Sequence, residues 1–367
     1  SQETFDFEKN GCCYNGFYTC EEGLIYVDDG ILTFAVPEKK ARTVLCTVVD
    51  CSHNSEECPA YLEDYDVFAI YYYNDKQYLL MRNVYSDGVN AKVYEADVDG
   101  RNRRVIYNLE QDDAGIAMPI CYNGEIFIFV SSVGSWDIYS KDENGNIVEH
   151  PRDISLISYD IDSGNQMVVE TFEEAYNQWI TVYGLNNGKF YFQYQYSDVP
   201  TEELWNGDDE IPEMMSEFFK QGIGVLDLSG SDPSLDSIIE ADSVIFMGID
   251  SNKLYWYEYE EEMDYSLMEV HFYDIGSNEN GKMIVDSGAS ESFITVVNGK
   301  MFFKHYYNNN VTEYEIKTGD VHVYHNMEYV PIGTYKNYYI LGELELYSDL
   351  VEFDSLGKEK EYLALRN

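Results

Sequence analysis

A short strand-to-turn cassette recurs seven times along this chain, and that recurrence constrains the fold more than any other feature. The copies read ILTFAVPEKKA from Ile31, KVYEADVDG from Lys92, LISYDIDSG from Leu156, GVLDLSG from Gly224, VHFYDIGSNENG from Val270, VTEYEIKTG from Val311 and LVEFDSLG from Leu350. Each begins with alternating residues, suited to a strand, and ends in Asp, Asn or Gly chemistry suited to a tight turn. The anchor positions are Phe34, Tyr94, Tyr159, Leu226, Tyr273, Tyr314 and Phe353, spaced by 60, 65, 67, 47, 41 and 39 residues. The unit is therefore about 40 residues, lengthened by insertions in the first half.

A second motif, a polar turn leading into an apolar strand, precedes most of the anchors. It occurs at Asn74, Asn123, Asn187, Ser251, Asn298 and Lys336, three times as Asn-Gly. Asn-Gly is the strongest short hairpin signal, because both central residues of the favoured two-residue turn need positive φ. Four short antiparallel strands per 40 to 50 residues mark a β-propeller blade. The chain is thus expected to be all-β, a β-propeller of seven blades, with six or eight allowed if Thr4–Phe7 completes a C-terminal blade. A tandem sandwich lacks such a recurring signature.

Helix is expected once, over Ile211–Lys220, with Pro212 near its first turn and Met214, Met215, Phe218 and Phe219 at helical spacing. It lies in an insertion at 196–222; a second insertion covers 131–153. Residues 1–367 read as a single propeller domain with these two loop insertions, which in repeat folds fall on one face, often the binding face. Trp136 and Trp205 lie in them. The runs Tyr71–Tyr73 and Tyr257/Tyr259 alternate, so some of these rings are expected to point outward.

The chain has 68 acidic and 23 basic residues, a net charge of −45. Such a field repels phosphate backbones and anionic membrane surfaces, so nucleic acid is excluded as a partner. A monomer engaging a protein, peptide or glycan is expected. There is no membrane-spanning stretch, and the opening SQETFDFEKNG reads as a mature start from which an export or lipoprotein signal, with any lipid anchor, has been removed.

Of seven cysteines, Cys46, Cys51 and Cys58 lie in one polar loop as Cys46-x4-Cys51-x-His53-x4-Cys58. Thiolate and imidazole are the donors of tetrahedral zinc, and four of them filling the shell would staple the loop without leaving a catalytic position. Cys46–Cys51 or Cys51–Cys58 disulfides, and free thiols, remain open, since spacing alone does not decide. Cys12, Cys13 and Cys20 flank the first strand.

Catalytic signatures are absent. The acidic run at Glu258 and Glu260–Glu262 singles out no carboxylate pair of the kind glycoside hydrolysis needs. The segments from Asp97, Asp142 and Asp160 resemble fragments of calcium loops but sit where hairpin turns belong. His322 and His325 lack a helical HExxH setting; His150, His271 and His305 stand alone.

The cassette, hydrophobic-x-Tyr-Asp-x-x-x-Gly, resembles those of TolB-like and YWTD-like propellers common in secreted or lipid-anchored envelope proteins. The segment Leu45–Leu62 is similar to a cysteine–histidine loop found after the first blade of uncharacterised cell-envelope propellers of Gram-positive gut anaerobes. The resemblance implies fold and an extracellular or envelope location, and it carries no activity. The YWTD tetrapeptide itself is missing, so those receptors' ligand mode does not transfer. Three functions follow: a non-enzymatic envelope binding or scaffold propeller; alternatively a carbohydrate-active enzyme using channel-lining carboxylates; or a metal-stapled structural protein.

Overall fold

The structure, a computed structural model, describes residues between 17 and 355, leaving aside segments of which the longest are 84–89, 198–218, 259–265 and 343–352. It is an all-β propeller, and a 3-10 turn at Pro37–Lys39 is the sole helical element among the described residues. The first sheet holds Phe17–Thr19, Leu24–Asp28, Ile31–Val36 and Ala41–Val44. The second holds Tyr65–Tyr73, Lys76–Asn83, Asn90–Asp97 and Arg104–Leu109. A third, of seven strands, runs from Ala114–Tyr122 to Ser234–Ala241. The fourth and fifth have four strands each, over 244–286 and 292–325; the sixth has three, over 330–355.

Six propeller sheets therefore stand where seven cassettes suggested seven blades. The reason is the strand Gln166–Asn186, which runs 21 residues without a break. Its first half pairs with Arg152–Asp160 and its second half with Lys189–Ser197, so the Tyr159 and Leu226 cassettes share one sheet. The expected helix is also corrected: Phe219 and Lys220 open the strand Phe219–Asp227, paired with Ser197 and Tyr196. Residues 211–218, Thr4–Phe7, Trp136 and Trp205 lie outside the described residues. The segment 131–153 carries a two-stranded ribbon, Tyr139–Lys141 with Ile147–Glu149.

The repeat has a common local geometry. Positive φ occurs at both central residues of the turns Asn74–Asp75, Asn123–Gly124 and Asn298–Gly299, as the favoured hairpin turn requires. In the cassettes the left-handed residue comes five positions after the tyrosine: Gly164 after Tyr159, Asn278 after Tyr273 and Gly319 after Tyr314. Its N–H donates back to the carbonyl of Asp160, Asp274 or Glu315 at 2.8–2.9 Å. The residue after that acid then ties the two turns together: the N–H groups of Ile161, Leu228, Ile275 and Ile316 donate to the carbonyls of Gly124, Gly188, Asn252 and Gly299 at 2.8–3.0 Å. Turn chemistry thus explains the Tyr-Asp-x-x-x-Gly pattern.

The chain divides into two compact units, one of residues 1–18 and 45–243, the other of residues 19–44 and 244–367. In the first, the strand Glu125–Gly134 buries both faces. Ile126, Ile128 and Val130 pack with Ala69, Tyr71 and Leu80 of the second sheet, while Phe127 and Phe129 pack with Phe190 and Phe192. A continuous apolar run is what a strand covered on both sides requires. Tyr71 and Tyr257 are buried for the same reason, while Tyr72 and Tyr73 are half-exposed and Tyr259 lies outside the described residues. In the second unit the N-terminal sheet is gathered with the C-terminal ones, and Tyr255, Met268 and Val270 pack with Val296, Met301 and Phe303.

Gly124 shows how tightly a turn is built into the neighbouring sheet. Its φ is +81°, and a Cβ there would meet the Tyr73 ring at 2.6 Å. Its N–H donates to Tyr71 Oη at 3.2 Å. Gly124→Ala is expected to cost at least about 1–2 kcal/mol, the penalty of a Cβ in the left-handed region. Urea denaturation of the variant would read this as a lower midpoint at unchanged slope.

Candidate metal centre

The loop between the first and second sheets wraps tightly enough to bring distant side chains together. Two of its residues, Asp50 and His53, take left-handed φ of 58° and 56°, reversing the chain between Cys46 and Cys58. Such reversals are tolerated by Asp and His better than by most residues. They fold the loop so that Cys46, Cys51, His53 and Cys58 converge, with one ligand atom of each within 4.8 Å of the others. His53 Nδ1 lies 3.3 Å from Cys58 Sγ. A tetrahedral ion with bonds of about 2.0 Å to nitrogen and 2.3 Å to sulfur sets ligand atoms about 3.5–3.8 Å apart. The cluster is therefore of the right size and donor set to hold a metal ion. All three cysteines of the loop are free, so neither of the possible disulfides is formed.

Backbone N–H groups serve the sulfurs in a repeated pattern. The N–H of Val48 donates to Cys46 Sγ at 3.4 Å. The N–H of His53 donates to Cys51, and that of Ala60 to Cys58, so each sulfur is served by the residue two positions on. Hydrogen bonds to sulfur favour the thiolate, which is the form that binds metal. The His53 N–H holds the Cys51 thiol below its ordinary value. Burial instead pushes Cys58, 1% exposed, up to about 11, and the neighbouring sulfurs add to the shift. Three thiolates this close repel one another, and a cation at their centre removes that obstacle.

Of the remaining cysteines, Cys121 is buried in the core of the first unit, while Cys12, Cys13 and Cys20 lie outside the described residues. His322 and His325 fall on one strand at an odd spacing, so they face opposite sides; His322 meets the Tyr324 ring edge-on and His325 bonds Asn310 at 3.1 Å. His271 stacks on Trp256. An open groove of about 650 Å³ includes His305 and Thr312 in its lining. Their side chains bond at 2.9 Å and both are buried, a satisfied core pair with burial lowering the histidine's pKa. Glu258 is exposed at a strand end; Glu260–Glu262, His150 and the segment from Asp142 lie outside the described residues. Asp97 and Asp160 sit in hairpin turns, Asp160 accepting the Ser163 N–H at 2.6 Å.

Sequence reasoning found the four clustered side chains but missed the hairpin on which their loop rests. The turn between Asn90–Asp97 and Arg104–Leu109 contributes Asp99, Gly100, Arg101 and Arg103. Thr47 Oγ1 donates to Asp99 at 3.4 Å, and Arg101 donates to the Thr47 carbonyl at 3.1 Å. Arg103 donates to the carbonyls of Pro59 and of Tyr61, the latter at 2.9 Å.

No protein-family profile matches the chain, and no curated protein matches its sequence. Among solved structures it is similar to an oligogalacturonate lyase in complex with manganese, at 11% identity over 85% of this chain and 77% of that one, TM-score 0.47. It is similar to an uncharacterized protein of Listeria monocytogenes EGD-e at 11% identity, over 82% of each chain, TM-score 0.45. A prolyl endopeptidase matches at 8% identity over 95% of this chain and 48% of its own, TM-score 0.50. The chain thus spans about half of the endopeptidase, and likeness at such identities shows the fold alone.

Proposed function

We propose that this chain is a non-enzymatic binding or scaffold propeller of the cell envelope, in which a structural zinc staples the loop that meets its partner. The observation that carries the reading is the convergence of Cys46, Cys51, His53 and Cys58 on a loop with an apolar tip. Val48 and Val49, between the first two cysteines, are 42% and 85% exposed. Two adjacent exposed valines beside the cluster give a partner an apolar surface to cover. With four protein ligands the metal has no open position, so it would order the tip and take no part in chemistry. Ordering the tip beforehand lowers the entropy cost of binding. The partner is a protein, peptide or glycan.

The envelope location, the exported and lipid-anchored state, the monomer and the single-domain organisation belong to this same reading. They rest on the similarity of Leu45–Leu62 to loops of envelope propellers and on the acidity of the chain. No helix among the described residues is long and apolar enough to cross a membrane.

A photo-crosslinking residue placed at Val49, compared with one at the exposed Met167, tests the reading in intact cells. The expected result is a crosslinked macromolecule from Val49 alone, lost when a chelator is added. No adduct from Val49, or the same adducts from Met167, would contradict it.

A further inference from the structure

The hairpin turn beneath the loop has features that strand pairing does not explain. Arg101 grips the carbonyl of Thr47, the residue that follows Cys46. Arg103 grips those of Pro59 and Tyr61, the first and third residues after Cys58. Two arginines of one turn therefore hold the backbone beside the first and last sulfur of the cluster. Asp99 braces the arrangement: it accepts the Arg101 backbone N–H at 3.1 Å and lies 3.6 Å from the Arg101 guanidinium. Gly100, at φ +80°, lets the loop come down on the turn, since a Cβ there would sit 3.0 Å from the Pro59 carbonyl oxygen.

Arg103 is the unusual member. The chain carries almost three acidic residues for each basic one, yet Arg103 forms no ion pair among the described residues. Its Nε is buried without a hydrogen-bond partner among them. Arg103 is half-buried, and a cation partly withdrawn from water without an ion pair is costly. Its two carbonyl partners, Pro59 and Tyr61, place the guanidinium beside the last sulfur of the cluster. Three thiolates around a divalent ion leave one net negative charge, which a neighbouring guanidinium would balance.

We propose that the Asp99–Arg103 turn is the outer half of the metal centre. Arg101 and Arg103 act as positioning residues for Cys46 and Cys58, and Arg103 supplies the positive charge that a zinc ion bound by three thiolates and one imidazole needs. This rests on the zinc staple proposed above. Groups that orient metal ligands from behind commonly set affinity by about 10–100-fold.

Zinc affinity of the full chain, measured at fixed pH by competition with a chromophoric chelator, tests it. Arg103→Met and Arg103→Gln are expected to weaken binding by about 10–100-fold. Arg103→Lys, which restores charge without the two-carbonyl grip, is expected to fall between them and the unaltered chain. Cobalt-substituted Arg103→Gln should keep the absorption bands of the original ligand set, since no ligand is removed. Equal affinity for the Lys and Gln variants would overturn the charge role, whatever either does to folding. If Arg103→Met or Arg103→Gln binds zinc as the unaltered chain does, the cradle fails and the staple stands. If the unaltered chain binds no zinc, both fail.

Discussion

Cys58→Ser is expected to abolish stable zinc binding and to free the loop Leu45–Leu62, while the propeller sheets remain folded. Cys58 is the buried member of the cluster, in contact with His53 and fixed by the N–H groups of Ala60 and Tyr61. Serine supplies no thiolate, so a tetrahedral site would lose one of its strong ligands. The loss should exceed the roughly 10–100-fold that a supporting residue costs. A zinc ion that binds the folded arrangement only would stabilise it, so its removal is expected to lower apparent stability by about 4 kcal/mol when free zinc stands at 1,000 times the dissociation constant. Chelation of the unaltered chain should reproduce that loss, and Cys58→Ser should make stability insensitive to chelator. Limited proteolysis would place the new cleavage within the loop. A variant that keeps its zinc and its protease resistance would exclude Cys58 as a ligand.

Phe129→Ala should produce the largest loss that leaves the metal centre untouched. Phe129 is 1% exposed, and its ring centroid lies 5.6 Å from that of Phe192 in the core shared by the strands Glu125–Gly134 and Lys189–Ser197. Removing a fully buried phenylalanine costs about 3–5 kcal/mol, part of it for the cavity left behind. Met167→Ala, on an exposed position, should stay within about 0.5 kcal/mol. Equilibrium urea denaturation distinguishes the two. Zinc stoichiometry should be unchanged in both, because neither residue belongs to the loop or its hairpin.

The contrast between these sites reflects what each depended on in the chain. Local chemistry was readable: Asn-Gly turns, the left-handed position five residues after a tyrosine and the apolar runs all act within a few residues of themselves. So was the cluster, because Cys46 and Cys58 are close in sequence. The sheet count was not readable. The strand Gln166–Asn186 has no turn residue pair to mark where one four-strand set ends and the next begins, so the seven cassettes fall into six sheets. Which rings of the tyrosine runs face the core was not readable either: Tyr71 and Tyr257 are buried, while Tyr72 and Tyr73 are half-exposed. Helical spacing around Phe218 and Phe219 misled because long-range pairing with Ser197 decides the conformation at Phe219. The arginine cradle was hidden for the same reason. Arg101 reaches 54 residues back to Thr47 and Arg103 reaches 42 back to Tyr61, so only the folded chain brings them together.

X-ray absorption at the zinc edge, on protein purified with one equivalent of zinc under reducing conditions, tests the central claim most directly. Three sulfur scatterers at about 2.3 Å and one nitrogen at about 2.0 Å are expected, with one zinc per chain. A first shell of oxygen or nitrogen alone, or a protein that retains no zinc while Cys46, Cys51 and Cys58 all react with thiol reagents, would contradict it.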